Sequence, residues 1–393
     1  MTKQLPNSCV ELLQRMVSFN TINRMEEGIH SVEHELAAYL EQLALAWNLT
    51  ALRLPIADPA FNLLITHQVD STAPWLLFDS HLDTVDIQGM TIDPFGGELR
   101  NGKIFGRGAC DTKGTGAAML WALKSAIERQ QISTNIAILF CIEEEYSKTG
   151  VKEFVHRQLP ELGWHPAGVI VGEPTRMRLV SGHKGTVRWN IRTRGVAAHS
   201  SNPSQGKSAI RSMMRVIDAI EKHYIAELQI SHPLVGKAQC SINTIDGGSV
   251  INVIPDSCDI WLDRRVVPGE DVDAILPAVE SVLNNLRAQD SDLEVEQLSP
   301  RTDRTLSPEL NQELSSRVGQ VLEQSGLPSE PTGAPFGTDA CQYESIGLQA
   351  IVLGPGDIAK AHSADEFIEV EQLESGVDIY GQLMTQPPGF WKE

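Results

Sequence analysis

The sequence lacks several features that define whole classes of protein. No apolar run approaches the roughly 20 residues that a membrane-spanning helix needs, and the N-terminus has no apolar core of the kind found in signal peptides. The six cysteines are scattered without a CxxC pair, which is typical of free thiols in a reducing compartment. Internal repeats and low-complexity linkers are also missing. These absences predict a cytoplasmic protein that does not bind a membrane.

Positive charge is in the minority. The chain has 32 Lys and Arg against 51 Asp and Glu, which gives a net charge of −19. This balance argues against nucleic acid or an anionic membrane surface as a partner, and it suits a protein whose carboxylates bind a cation. At 393 residues, with 41% hydrophobic composition, the chain is long enough for two domains and a sizeable core.

The stretch 75–116 carries the densest cluster of candidate metal ligands. A short apolar run ends in Asp79, His81 and Asp83, and Asp111 precedes a helix-like run over 112–128. Neutral imidazole and carboxylate are the usual ligands of a catalytic zinc. On an extended chain His81 and Asp83 project to one side, so that Asp83 can steady the His81 ring.

Four short apolar strands each run into a histidine or an acidic side chain. These strands are predicted at 75–78, 136–142, 168–171 and 350–353. Apolar strands separated by helices indicate a parallel or mixed sheet covered on both faces, with the site beyond the carboxyl ends of the strands. We therefore expect five side chains to converge at one edge of the sheet: His81, Asp111, Glu145, Glu173 and His362. Two histidines and three carboxylates suffice for two zinc ions, one bridging carboxylate and an open position for water.

The pattern changes between about 183 and 296. Alternating polar and apolar residues predict half-exposed strands at 187–194, 238–245, 257–265 and 293–298, with helices at 207–227 and 270–287. This order is that of a small α+β sandwich with an antiparallel sheet. We predict a catalytic domain of residues 1–182 and 297–393, into which residues 183–296 are inserted. Outside the insert, helices are predicted at 8–18, 29–47 and 308–324, and short strands at 50–54 and 62–66.

Six motifs together resemble those of one enzyme family. They are SHLDTV at 80–85, GRGACDTKG at 106–114, EEE at 143–145, GEPT at 172–175, GVAAHSS at 195–201, and GPG followed by AH at 354–362. The chain resembles the zinc-dependent amidohydrolases that include acetylornithine deacetylase, succinyl-diaminopimelate desuccinylase, aminoacylase and glutamate carboxypeptidase. Within this family, the GEPT run, HKG at 183–185 and the VLGPGDIAKAHSADE segment are most similar to acetylornithine deacetylase, an enzyme of arginine biosynthesis.

The resemblance implies a fold. The catalytic domain would be a three-layer α/β domain with a mixed, mostly parallel sheet. The insert would be a ferredoxin-like α+β domain that acts as a lid and as the surface of a homodimer. The resemblance also implies a cis peptide bond between Asp111 and Thr112.

The resemblance further implies the role of each site residue. Two zinc ions would be bound, one by His81, Asp111 and Glu173 and the other by Asp111, Glu145 and His362, with Asp111 bridging. Cobalt or manganese could substitute, since this ligand set accepts several metals. The remaining roles are orientation of His81 by Asp83, general base for Glu144, oxyanion donor from the lid for His199, and contact with the substrate carboxylate for Asn243 and Arg265. A salt bridge within the lid is the alternative for Arg265.

The predicted reaction is hydrolysis of the amide of an N-acyl amino acid. Glu144 takes a proton from the metal-activated water and delivers it to the departing amine. A metallo-carboxypeptidase or dipeptidase that acts on a short peptide needs the same metals and is the alternative. A non-catalytic binding protein is a third hypothesis, against which the full ligand set and Glu144 argue. Asp339 stands where acetylornithine deacetylases tend to carry Glu, so the acyl group and the amino acid stay open.

Overall fold

The structure is a computed structural model that describes residues 5–23 and 32–391. The chain divides into two compact units. The first comprises Met1–Ser181, Pro308–Thr332 and Thr338–Glu393, and the second comprises Gly182–Ser307 and Gly333–Gly337.

The described residues form ten α-helices and a few single turns of other helix types. The α-helices are α1 (Cys9–Val17), α2 (His34–Ala46), α3 (Lys113–Glu128), α4 (Thr149–Glu153), α5 (Leu159–Leu162), α6 (Ala209–Ile220), α7 (Ile275–Gln289), α8 (Gln312–Gln324), α9 (Ala340–Glu344) and α10 (Val370–Met384). Turns of 3₁₀ helix are Pro203–Gln205, Val272–Ala274, Pro308–Asn311, Ile358–Lys360 and Pro388–Phe390, and π-helical turns are Phe154–Gln158 and Glu221–Ile225.

Twenty β-strands lie within the same described residues. They are β1 (Thr50–Ala57), β2 (Ala60–His67), β3 (Trp75–His81), β4 (Glu98–Arg100), β5 (Lys103–Phe105), β6 (Asn135–Cys141), β7 (Pro166–Val171), β8 (Val180–His183), β9 (Gly185–Arg194), β10 (Ala198–His199), β11 (Ser231–His232), β12 (Gly236–Lys237), β13 (Gln239–Gly247), β14 (Val253–Ile254), β15 (Ser257–Val266), β16 (Glu294–Gln297), β17 (Arg301–Asp303), β18 (Thr332–Ala334), β19 (Ala350–Val352) and β20 (Phe367–Glu369).

The large sheet has the strand order β1-β2-β6-β3-β7-β19-β8-β18, and the chain passes between the two units within β8 and β18. Its central strands β6, β3, β7 and β19 are mutually parallel, while β2 and β8 flank them antiparallel. These four strands are the uninterrupted apolar runs of the sequence, and they are buried as such runs in covered sheets are. The predicted mixed, mostly parallel sheet is confirmed, and the carboxyl ends of the four strands share one edge.

Helices cover both faces of this sheet. Side chains alternate along β3, so that Phe78 lies on one face and packs edge-to-face on Tyr380 of α10, with 5.7 Å between ring centroids. On the same face α3 approaches closely, since a Cβ at Gly116 would lie 2.8 Å from the ring of Phe140. Asp79 points to the opposite face, where it accepts a hydrogen bond of 2.6 Å from Tyr343 of α9. The first unit is thus a three-layer α/β domain.

The second unit is a ferredoxin-like α+β domain. Its sheet has the order β13-β15-β9-β16, with antiparallel neighbours throughout. Helices α6 and α7 share a core with one face of this sheet, to which β15 contributes alternate residues such as Ile260 and Leu262. A two-stranded ribbon of β10 and β14 stands apart from the sheet. The strand and helix order matches the sequence prediction.

Some boundaries differ from those predicted. The predicted end of the insert at 296 falls before β17, whose backbone pairs with β9 of the second unit. This pairing has no apolar pattern, because its residues are Arg301, Thr302 and Asp303, and so periodicity could not find it. The helix predicted at 207–227 ends as α6 at Ile220 and continues as a π-helical turn. Residues 29–31 of the helix predicted at 29–47 lie outside the described residues.

Two features predicted from the sequence concern membrane-spanning helices and disulfide bonds. Over residues 5–23 and 32–391, no helix combines the length and the apolar character that crossing a bilayer requires. All six cysteines are free, and five of them are buried.

Candidate metal centre

His81 is the last residue of β3, and its ring is held from one side. Its Nδ1 lies 3.0 Å from the backbone oxygen of Asp83. A carbonyl oxygen can only accept a hydrogen bond, so Nδ1 carries a proton. The opposite nitrogen, Nε2, lies 3.1 Å from Oδ1 of Asp111. The side chain is 2% exposed, so the ring presents Nε2 in one fixed direction.

Asp111 lies between two histidines. Its Oδ1 faces Nε2 of His81, and its Oδ2 lies 3.3 Å from Nε2 of His362. Two imidazoles on opposite oxygens of one carboxylate form the arrangement that a bridging ligand requires. The peptide bond between Asp111 and Thr112 is cis, as the resemblance implied.

The two remaining carboxylates lie near different histidines. Oε1 of Glu145 lies 3.1 Å from Nε2 of His362, and Oε1 of Glu173 lies 4.0 Å from Nε2 of His81. The five side chains selected from the sequence therefore lie close together around Asp111. Glu145 follows β6, and Glu173 follows β7, so both positions result from the parallel strands beside β3.

The electrostatics of this cluster favour a cation. Burial and the neighbouring charge of Asp111 raise the pKa of Glu145 to about 7, and burial raises the pKa of Glu173 well above its usual value. Hydrogen bonds to Asp111 and Glu145 raise the pKa of His362 to about 10. The cluster thus takes up protons to offset its own negative charge. Imidazole nitrogens with carboxylate oxygens are a donor set that suits zinc, so the residues fit a metal.

Asp83 connects the histidine to the acidic loop after β6. Oδ1 of its carboxylate accepts a hydrogen bond from the backbone N–H of Glu144 at 3.0 Å. Oδ2 accepts one from the backbone N–H of Glu145 at 3.1 Å and one from the side-chain amide of Asn23 at 3.0 Å. Burial opposes its ionisation, but the hydrogen bond to His81 and the charge of that ring keep the pKa of Asp83 below its usual value. A single buried carboxylate therefore contacts the ring and the loop at once.

Glu144 borders the same centre. Its carboxylate belongs with His81 and Glu173 to a group whose candidate ligand atoms all lie within 4.8 Å of one another. Oε1 of Glu144 lies 3.2 Å from Nζ of Lys148. The adjacent residues Glu144 and Glu145 thus have different partners, Lys148 for the first and His362 for the second.

Glu366 is a buried residue of this site that sequence reasoning missed. Its Oε1 accepts the backbone N–H groups of Cys110 and Asp111, at 3.0 and 3.2 Å, and its Oε2 lies 2.6 Å from Arg107. The strand β20 pairs with β5 and brings Glu366 beside this loop. The contact is non-local, and the only available signal was that both partners lie inside recognised motifs.

Cys110 stands next to the bridging residue but is not a candidate nucleophile. Its thiol donates to the backbone oxygen of Asp357 at 3.3 Å. Burial and the nearby carboxylates of Glu366 and Asp111 raise the pKa of this thiol well above its usual value. A thiol that stays protonated is a poor nucleophile, so Cys110 has a structural role.

A second acidic group lies behind the sheet edge, and of its members only Asp79 was a candidate from the sequence. The thiol of Cys141 lies 3.1 Å from Asp79 and 3.2 Å from Asp339. Burial raises the pKa of Asp79 to about 6 and that of Asp339 well above its usual value. Within this cluster the Cys141 thiol hydrogen-bonds to both carboxylates, and Asp79 also accepts a hydrogen bond from Tyr343.

Three predicted residues belong to the second unit. His199 is exposed on β10, and its Nδ1 accepts the backbone N–H of Ser201 at 3.1 Å. Asn243 is exposed at the irregularity in β13. Arg265 forms an ion pair of 2.7 Å with Asp263, which is the alternative that the sequence analysis gave for it.

Residues 77–386 match the sequence profile of peptidase family M20/M25/M40. The chain belongs to this family. The match covers more than half of the chain and includes every residue of the metal centre described above.

Relatives within the M20 family differ in the activity that they are named for. The chain is 31% identical over 298 residues to an acetylornithine deacetylase from Myxococcus xanthus, which covers 75% of each protein. The structure also matches a metallo-carboxypeptidase from Sulfolobus solfataricus, with a TM-score of 0.75 at 17% identity, over 98% of this chain and all of the other. It matches a Bacillus subtilis protein described as a dinuclear metal-binding peptidase with a TM-score of 0.68 at 14% identity, over 96% of each chain. The last two likenesses concern the fold alone.

Proposed function

We propose that the protein is a di-zinc hydrolase that cleaves the amide bond of an N-acyl amino acid. The observation that carries this proposal is the pair of imidazole nitrogens on opposite oxygens of Asp111, with the carboxylate of Glu144 beside them. His81, Asp111 and Glu173 would hold one ion, and Asp111, Glu145 and His362 the other. When bound, such ions lower the pKa of water and polarise a carbonyl group.

Glu144 acts as the general base in this proposal. Its carboxylate accepts the proton of the attacking water and then passes it to the nitrogen of the leaving amine. The hydrogen bond to Asp83 fixes the backbone of Glu144, and the ion pair with Lys148 fixes its carboxylate. The base therefore needs little rearrangement to reach a water at the edge of the centre.

His199 is proposed as the donor to the oxyanion. Because the backbone N–H of Ser201 donates to Nδ1, the neutral ring holds its proton on Nε2, the outward nitrogen. A ring in this tautomer can donate to a developing negative charge. Arg265 and Asn243 are proposed to bind the substrate carboxylate, for which Arg265 would exchange Asp263 for the ligand.

Several finer statements rest on the named relative and on the family resemblance. We propose an acetylornithine-type substrate, a place in arginine biosynthesis, a cytoplasmic location and a homodimer that forms through the second unit. A metallo-carboxypeptidase or dipeptidase is the second candidate function. It stays open because Asp339 stands where acetylornithine deacetylases tend to carry Glu.

The test is release of free amine from a substrate panel. The panel contains N-acetylornithine, N-succinyl-diaminopimelate, simple N-acetyl amino acids, acyl-glutamates and dipeptides, each with added zinc and again with a chelator. We expect turnover of one N-acyl class that the chelator abolishes. Turnover of dipeptides alone would select the second candidate, and turnover that persists with no metal bound would overturn both.

The Glu144→Gln variant tests the mechanism in the same assay. We expect kcat to fall by about 10²–10⁴-fold, the range for loss of a general base, while the bound metal stays at the wild-type level. Glu153→Gln, on the surface of α4, is the matched control and should keep wild-type turnover. Wild-type kcat in Glu144→Gln would remove this residue from the mechanism.

A further inference from the structure

Lys148 occupies a position for which its side chain is locally unsuited. It is the N-cap of α4, where Ser, Thr, Asp and Asn are preferred because their oxygens accept free backbone N–H groups, and it makes no such bond. Its φ of +54° lies in the left-handed region that Gly and Asn favour. A positive charge is also unfavourable at a helix N-terminus. A residue that goes against three local preferences points to a compensating interaction.

The loop that carries Lys148 is closed by its own backbone. The N–H of Lys148 donates to the oxygen of Glu143 at 2.6 Å, and the N–H of Gly150 donates to the oxygen of Ile142 at 3.1 Å. A Cβ at Gly150 would lie 2.5 Å from the backbone of Ile142, so only glycine allows this approach. The closed loop returns the Lys148 side chain towards the residues that follow β6.

The side chain of Lys148 meets Glu144 in a nearly buried ion pair. Nζ lies 3.2 Å from Oε1 of Glu144, and the two side chains are 10% and 11% exposed. An exposed ion pair contributes little because water screens it. Here both charges are largely removed from water, so removal of one partner leaves the other poorly solvated. The geometry of Glu144 therefore depends on Lys148.

Asp339 is a second acid near this ammonium group. Its pKa is raised by burial first and then by the charge of Glu144, while the charge of Lys148 lowers it in part. The net shift of the Asp339 pKa is upward. Glu144 is the acid that forms an ion pair with Lys148.

We propose that Lys148 is a positioning residue that holds the carboxylate of Glu144 in its working orientation. This inference rests on the proposed role of Glu144 as general base. Asp83 holds the backbone of Glu144 at 3.0 Å, and Lys148 holds its carboxylate at 3.2 Å, so the base is fixed at both ends. Lys148 itself contacts no substrate and transfers no proton.

The experiment compares Lys148→Met with Lys152→Met in the full chain, assayed on whichever panel substrate the wild-type protein turns over. Both changes replace a lysine of one loop by an unbranched apolar side chain. Lys152 donates a hydrogen bond of 2.7 Å to the backbone oxygen of Ser147 in the same loop. We expect Lys148→Met to lower kcat about tenfold or more, with KM and bound metal within about threefold of wild type, since only the base is displaced. Lys152→Met should lower kcat by less than about threefold.

Each outcome decides the proposal. Unchanged kcat in Lys148→Met overturns it, and so does an equal loss in both variants or a loss that follows the metal content, because the role would then be structural. Adding Lys148→Met to Glu144→Gln should cause no further loss, since nothing remains to be positioned. A further tenfold loss in the double variant would overturn the proposal. If Glu144→Gln alone keeps full turnover, the proposed mechanism fails as well, whereas an inactive Glu144→Gln with a normal Lys148→Met refutes the positioning role alone.

Discussion

His81 and His362 face the same aspartate from opposite sides, yet their surroundings differ. The His81 side chain is 2% exposed, ends a strand of the central sheet, and has Nδ1 held by the backbone of Asp83. The His362 side chain is 50% exposed and belongs to a residue with φ of +57°, after the 3₁₀ turn Ile358–Lys360. His81 is thus part of the core of the first unit, while His362 lies at its surface. The two halves of the centre should differ in stability, in metal affinity and in proton exchange.

The largest expected difference is in the stability of the metal-free protein. His81→Ala removes the buried imidazole between Asp83 and Asp111 and leaves buried carboxylates without their cationic partner, which costs about 3 kcal/mol or more. His362→Ala removes a half-exposed ring, whose ion pairs are screened by water, and should cost about 1 kcal/mol or less. The measurement is urea unfolding of both metal-free variants beside the wild type.

Metal content extends the same experiment. Each variant should lose one of the two proposed ions, because each ion has one histidine ligand. The other ion should stay bound by Asp111 and the remaining histidine. Equal free energies of unfolding for the two variants would contradict the division into a core half and a surface half.

A smaller effect is expected from the residue that orients the buried half. In the wild type both carboxylate oxygens of Asp83 accept hydrogen bonds from backbone N–H groups. Asp83→Asn replaces one of these oxygens by an amide N–H₂ group, which cannot accept a hydrogen bond from a backbone N–H. We expect metal affinity to fall about 10–100-fold, the range for loss of a partner that orients a ligand. Asp357→Asn makes the same chemical change five residues before His362 and preserves an acceptor for the N–H of Ala359. Competition titration with a chromogenic chelator measures both, and equal losses would show that the two halves depend on their surroundings alike.

The smallest effect is a release of protons when metal binds. A metal needs neutral imidazole and ionised carboxylate. Because the pKa of His362 is raised to about 10, this ring is charged at pH 8 and must lose its proton to bind a metal. Metal affinity should therefore increase with pH up to about 10, above which His362 is neutral and makes no further contribution to the pH dependence.

Calorimetry at pH 8 in buffers of different ionisation enthalpy measures this release. At least one proton per chain should be released by the wild type, and about one fewer by His362→Ala. Equal proton release by both proteins would show that His362 is already neutral without metal.

Much of this architecture was accessible from the sequence, since its determinants are local. The apolar runs after residues 75, 136, 168 and 350 had to be covered strands, and their parallel order then placed His81, Glu145 and Glu173 at one edge. The second unit was recognisable from its alternating strands. The family motifs added the pairing of ligands that the spacing left open.

The rest depended on contacts that leave no periodic trace. Glu366 reaches the loop before Asp111 only because β20 pairs with β5, across more than 250 residues of sequence. Lys148 reads as a surface lysine until the loop after β6 is seen to close on itself. The strand β17 has a polar, mostly charged sequence and pairs with β9 through its backbone, so the hydrophobic pattern of the sequence could not assign it to the second unit.

The hydrogen bonds of Asp83 have a consequence for how this enzyme can change over evolutionary time. Its backbone oxygen contacts the His81 ring, and its carboxylate accepts the backbone N–H groups of both Glu144 and Glu145. A substitution that retunes metal affinity through this residue also displaces the proposed base. Variation in activity among descendants should therefore accumulate elsewhere, in the second unit and in the surface loop around His362, while position 83 stays fixed.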